Sequence, residues 1–137
     1  MKDIRERTFE FSLHIIRLCQ QLEEQPGVAR TLSWQLLRSG TSIGANVEEA
    51  QAGQSKLDFI SKNAIALKEA RETIYWLRLL VASKIIPVER LSELLAEANE
   101  LAKIVGSIIV SAKRKKDRKS TRLNSSHIQK SRMPSSA

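Results

Sequence analysis

The chain has 137 residues, 42% of them hydrophobic, 28% charged and 4% aromatic, which suits one domain of modest size and excludes a multidomain enzyme. Its formal net charge of +8 invites a nucleic-acid reading. That charge is unevenly placed, however: residues 1–112 hold 14 Lys/Arg and 14 Asp/Glu, while residues 113–137 hold nine basic residues against Asp117.

One cysteine, Cys19, leaves no disulfide framework or CxxC metal site within a chain. The opening MKDIRERTFEF has no apolar signal-peptide core, and no stretch reaches the roughly 18 apolar residues of a membrane span. The expectation is a cytoplasmic protein with no membrane partner.

The first predicted helix covers residues 3–24, with Phe9, Leu13 and Ile16 in one apolar row and Phe11, Ile15, Leu18 and Leu22 in an adjacent one. Gln25, Pro26 and Gly27 stop it. The second covers residues 28–51, with Leu32, Leu36, Ile43, Val47 and Ala50 near a 3.6-residue repeat. Gly40 and Gly44 lie inside it, each costing about 1 kcal/mol relative to alanine. Close approach of a neighbouring helix at Gly40, Gly44 and Ala45 is the simplest compensation. Ser55 followed by Asp58 reads as a capped start. The third helix then runs to about residue 83, roughly 28 residues and about 40 Å long. Pro87 fits the first position of a fourth helix, residues 87–113, whose stripe is Leu91, Leu94, Leu95, Ala98, Leu101, Val105, Ile108 and Ile109.

Short connections make consecutive helices antiparallel, so the predicted fold is all-α: an up-down-up-down four-helix bundle of long helices over residues 1–116. Residues 74–82, IYWLRLLVA, are apolar around nearly the whole helix. One core does not cover such a helix, which predicts a homo-oligomer with Trp76 and Leu80 among the candidates for the outer face; the alternative is cover within one chain, from the ends of the bundle and the linker near Ile86. Glu89, Glu93, Glu97 and Glu100 form a mildly self-repelling row, read as a solvated face or, alternatively, as one that meets Arg or Lys from a neighbour.

Residues 37–50, LRSGTSIGANVEEA, are too polar for an ordinary helix interior, and Arg38, Ser39, Ser42, Asn46 and Glu49 recur at spacings of three and four. Half-buried polar groups need partners, and Lys68, Glu69 and Glu72 on the third helix can provide them. A structural network joining Arg38 to Glu69 or Glu72 is expected here, in preference to a catalytic or ligand site. Tyr75 and Trp76 are further network or interface candidates.

These residues carry a resemblance. The block RS-x-TSI-x-AN-x-x-E (Arg38, Ser39, Thr41, Ser42, Ile43, Ala45, Asn46, Glu49) resembles proteins encoded in intervening sequences of bacterial 23S rRNA genes, also called the S23 ribosomal protein family. So does the block ALKEA-x-ET-x-YWL, from Ala66, Leu67, Lys68, Glu69 and Ala70 through Glu72, Thr73, Tyr75, Trp76 and Leu77. The resemblance runs from about Phe9 to about Ile109. It implies a four-helix bundle assembling into a ring, typically a homopentamer, with no established enzymatic activity and a poorly defined molecular role. A related protein, the accessory variability protein of diversity-generating retroelements, is a basic pentamer that works with nucleic acid and a reverse transcriptase. The neutrality of residues 1–112 departs from that relative.

Enzyme readings find little support. Di-metal bundles need Glu-x-x-His pairs, whereas Glu10 and His14 are four apart and stand alone. Cys19 has no partner set for a nucleophilic triad. Arg122 and His127 are spaced as in helical RNases but lack an apolar framework. No catalytic, cofactor or metal residues are assigned, and no cofactor is expected.

Residues 113–137 change character to basic and serine-rich, which predicts a disordered tail. Lys113, Arg114, Lys115 and Lys116 are the candidates for contact with RNA or DNA. The segment DRKSTRLNSSH, residues 117–127, is the translation of a common sequencing-library adapter. SRMPSSA, residues 131–137, matches the same adapter beyond its index. Residues 117–137 are therefore expected to be an adapter artefact fused to a truncated gene, and are set aside in reasoning about function.

Overall fold

The computed structural model describes residues 2–131, with side chains described through Lys115. Its elements are α1 (Ile4–Glu23), α2 (Val28–Gln51), α3 (Lys56–Ala82) and α4 (Val88–Ser131). Among the described residues no strand occurs.

Local chemistry explains the helix ends. Asp3 accepts a hydrogen bond from the Glu6 amide at 2.9 Å and caps α1. Ser55 accepts from the Asp58 amide at 3.1 Å and caps α3, at the predicted start. Gly27 at φ 87 opens the tight turn into α2, a conformation only glycine adopts freely. Pro87 stands just before α4, one place outside its expected position, and its carbonyl accepts from the Arg90 amide at 3.0 Å. Helical backbone continues to Ser131, well past the expected end near Lys113, because neither Gly nor Pro occurs between Gly106 and Pro134. Of the segment expected to form a disordered tail, residues 117–131 are thus helical in backbone and residues 132–137 lie outside the described ones.

The end of α3 carries a feature the sequence does not announce. Ser83 is the C-cap, and Lys84 follows at φ 61, in the left-handed region that glycine fills at most such ends. A non-glycine residue there costs about 1 kcal/mol. Lys84→Gly is therefore expected to stabilise the fold by about 0.5–1 kcal/mol in urea unfolding; a loss of stability would mean that the Lys84 side chain holds something in place.

Neighbours in sequence are neighbours in space. α2 packs along α1 and α3, α3 packs along α2 and α4, α1 meets α4 over a smaller stretch, and among the described residues the diagonal pairs make no close backbone approach. This is the up-down-up-down bundle, with its α1–α4 seam less tightly closed than the others. The core gathers Phe11, Ile15, Leu22, Leu36, Ile43, Val47, Leu77, Leu80, Leu91, Leu101 and Val105, all fully buried.

Gly40 and Gly44 face α1 as expected: a Cβ on Gly40 would sit 2.8 Å from Ile15 Cγ1, and one on Gly44 would sit 3.3 Å from the Thr8 carbonyl oxygen. Ala45, grouped with them in the sequence reading, is exposed. The expected outer face of α3 also needs correction. Leu80 is fully buried in the chain's own core and Trp76 packs partly against it. The reason is position, since α3 has a helix along each of two sides and needs a wide apolar arc to serve both. On α1 the second apolar row is buried, but Phe9, Leu13 and Ile16 face outward.

Candidate functional site

The polar residues of α2 meet α3 along one edge of the bundle. Arg38 donates to Glu69 at 3.3 Å and also pairs with Glu72. Glu72 in turn accepts from Trp76 Nε1 at 3.0 Å, so the carboxylate links the guanidinium to the indole. Glu69 is the most covered of the three charged side chains, at 13% exposed, whereas Arg38 is half open to solvent. The spacing of Glu69, Glu72 and Trp76 puts all three on the α2 side of α3.

Directly beneath, Ser39 and Thr73 form a buried pair with their hydroxyl oxygens 3.0 Å apart, the Glu69 carbonyl 2.8 Å from Thr73 Oγ1 and the Leu36 carbonyl 3.4 Å from Ser39 Oγ. Farther along α2, Ser42 donates to the Arg38 carbonyl and Asn46 to the Ser42 carbonyl, which keeps both polar groups within their own helix. Glu49 leaves this group and pairs with Lys62 at 2.7 Å. Lys68 is exposed and makes no ion pair among the described residues. Tyr75 is also outward, its ring edge-on to Trp76 with centroids 5.3 Å apart. The ten polar or interface candidates thus separate into a clamp (Arg38, Glu69, Glu72, Trp76), a buried hydroxyl pair (with Ser39), self-capped α2 groups (Ser42, Asn46), one surface ion pair (Glu49) and two free outward side chains (Lys68, Tyr75).

The clamp's chemistry is that of a fastener. Arg38 is engaged by two carboxylates, and no nucleophile lies among its partners. Cys19 is buried on the far side of α2, donating to the Ser33 carbonyl, and burial pushes its thiol pKa up, away from the reactive thiolate. Among the described residues no three His, Cys, Asp or Glu side chains gather as metal ligands. Among the described residues no helix is long and apolar enough to cross a membrane.

Two partnerships are set by the register of the helices, and the first takes Glu97 out of the solvated face expected of its row. Arg7 forms a forked pair with Glu97 across the α1–α4 seam, at 3.1 and 2.6 Å, and this hydrogen bonding raises the guanidinium pKa above its ordinary value. A separation of 90 residues leaves no local signal for such a pair. Thr73 lies inside the second sequence block, but its partnership with Ser39 rests on the register of α2 against α3. At the other end of α4, Lys113, Arg114 and Lys115 are exposed, and the Lys116 side chain lies outside the described ones.

The family model for the 23S rRNA-intervening sequence protein matches residues 2–107. A solved Bacteroides thetaiotaomicron protein, of unknown function and from the S23 ribosomal protein family, is similar to this chain with a TM-score of 0.73 and 42% identity, over 78% of this chain and 98% of that one. No curated protein matches. The family match contains α1 to α3, most of the packed part of α4 and both sequence blocks, the clamp included. At that extent, and with that identity to a solved relative, the chain belongs to the 23S rRNA-intervening sequence protein family.

Proposed function

We propose that the chain is a non-enzymatic, self-assembling helical bundle of the bacterial cytoplasm, a homopentamer by its resemblance to the family, that serves as a scaffold or interaction protein. The observation that carries self-assembly is the outward apolar row of α1. Phe9 is 63% exposed, and Leu13 and Ile16 lie one and two turns along on the side away from the core. Trp34, 70% exposed, adds a large ring on the adjoining helix α2. A face of this kind on a helix already packed on its other side is what a second copy covers. The non-enzymatic part is supported by the clamp, whose charged groups engage one another, and by the buried thiol.

Light scattering on the eluting full chain tests this. The protein at micromolar concentration is expected to elute as an oligomer, and Phe9→Glu with Leu13→Glu is expected to release helical monomers. A monomeric parent overturns self-assembly; an intact oligomer in the double variant overturns the α1 face as its seam.

A second reading, a nucleic-acid-binding accessory protein resembling the accessory variability protein, is favoured by the exposed Lys113, Arg114 and Lys115 at the end of the packed part of α4. Salt-dependent retention of a nucleic-acid strand is its test.

A further inference from the structure

The neutrality of residues 1–112 is a sum, and the fold sorts its terms by face. Glu97 is drawn to Arg7 across the α1–α4 seam, and Glu100 acts on that same guanidinium. Glu69 and Glu72 turn to α2 and hold Arg38. These pairings turn Glu97, Glu69 and Glu72 towards neighbouring helices and away from the outward side of the α3–α4 pair. The open groove there, about 800 Å³, has Arg71, Lys103 and Arg114 among its lining residues and, among the described residues, no acidic side chain. All three cations are exposed and none makes an ion pair among the described residues.

A second observation is Gly106, in the same lining. The other glycines inside helices have a reason in packing: Gly40 admits Ile15 and Gly44 admits the Thr8 backbone. A Cβ on Gly106 would meet nothing within 4 Å. This glycine weakens the middle of a long helix without serving the bundle, and it leaves bare backbone in a cationic groove, where something from outside can come close. We infer that the α3–α4 groove lined by Arg71, Lys103, Gly106 and Arg114 binds the phosphodiester backbone of a single-stranded nucleic acid.

Charge and shape select that occupant. Lys103 and Arg114 are eleven residues apart on one helix, a row of about 16 Å, so the positive charge is strung along a line and suits a polymer with an anion at every unit. Packed helices have axes about 8–10 Å apart, so the groove between them admits one strand and is too narrow for a duplex. Tyr75 stands outward one turn beyond Arg71 on α3, a ring on which a base can stack. The inference rests on the second reading above and extends it into the bundle, from Arg114 at the basic end of α4 to Lys103 and Arg71.

The test uses the full chain and fluorescently labelled oligouridylate, with binding followed by anisotropy at 50 and 200 mM salt. Arg71→Gln, Lys103→Gln and Arg114→Gln together are expected to weaken binding by about tenfold at the lower salt, and to flatten the log–log salt slope by about 2, for three released phosphate contacts on a single strand. Arg5→Gln, Arg17→Gln and Lys56→Gln remove equal charge elsewhere and are expected to change affinity less than twofold, the ordinary long-range share. Gly106→Leu alters no charge and is expected to weaken binding while leaving helicity and assembly unchanged. If the two triple variants lose affinity equally, the groove is not the site though the second reading stands. If the parent protein fails to bind at 50 mM salt, both fall. Equal competition by polyglutamate of matched charge overturns the assignment to a nucleic-acid strand.

Discussion

Arg38→Ala is expected to lower the stability of the bundle by about 1–2 kcal/mol, read as a shift in the urea midpoint at constant slope. The loss arises from what the substitution leaves behind. Glu69 and Glu72 sit one turn apart on α3 with side chains 13% and 30% exposed, and Arg38 is the group that neutralises both. Without it, two partly desolvated carboxylates face each other with only the Trp76 indole still donating to Glu72. Solvent at the half-exposed guanidinium screens the attraction, which keeps the figure well below that of a buried pair. Arg38→Lys is expected to recover only part, because an ammonium does not fork between two acceptors as a guanidinium does. In a double-mutant cycle, Glu69→Ala is expected to cost less in the Arg38→Ala background than in the parent. Unchanged melting of Arg38→Ala would end the view of this group as a fastener between α2 and α3.

That clamp was legible because its residues are periodic. Arg38 falls in a polar run with spacings of three and four, and Glu69, Glu72 and Trp76 recur at the same spacings, so each set shares one side of a helix. The two glycines of α2 were legible for a related reason, since an unfavourable residue inside a helix needs a packing explanation. Outward and inward apolar rows were not separable in the same way. Hydrophobicity along one helix measures how wide an arc is apolar, but not how many neighbours that arc must serve. α3 lies between α2 and α4, and its nearly all-round apolar stretch is used within the chain, with Leu77 and Leu80 fully buried. α1 packs along α2 and meets α4 more sparingly, so an arc no wider leaves Phe9, Leu13 and Ile16 uncovered. The surplus surface that the sequence assigned to α3 therefore belongs to α1. Charge behaved likewise: a net of zero over residues 1–112 conceals the outward Arg71 and Lys103 of a groove with no carboxylate among its described residues, because pairing across helices decides which charges remain outward.

The fit of α1 against α2 gives the largest expected effect of a single substitution. A Cβ on Gly40 would lie 2.8 Å from Ile15 Cγ1, 2.9 Å from Cγ2 and 3.2 Å from Cδ1. Three atoms of one β-branched side chain are met together, so a turn of a single rotamer does not clear them all, and Ile15 is fully buried with nowhere to retreat. Gly40→Ala gains about 1 kcal/mol in helix propensity, yet the overpacking outweighs it, for a net loss of about 1–2 kcal/mol. Gly40→Val, which adds branches at the point of contact, is expected to lose about 3 kcal/mol. Gly106→Ala is the matching control: with nothing within 4 Å of its Cβ, it is expected to stabilise the bundle by about 1 kcal/mol. A cycle with Ile15→Ala separates clash from any general intolerance of α2 to side chains. Ile15→Ala alone is expected to cost about 3 kcal/mol as a core truncation, and in its presence Gly40→Ala should cost nothing or stabilise, since the added methyl enters space the isoleucine has left. If Gly40→Ala costs the same with and without Ile15, the close approach of α1 is not what requires glycine there.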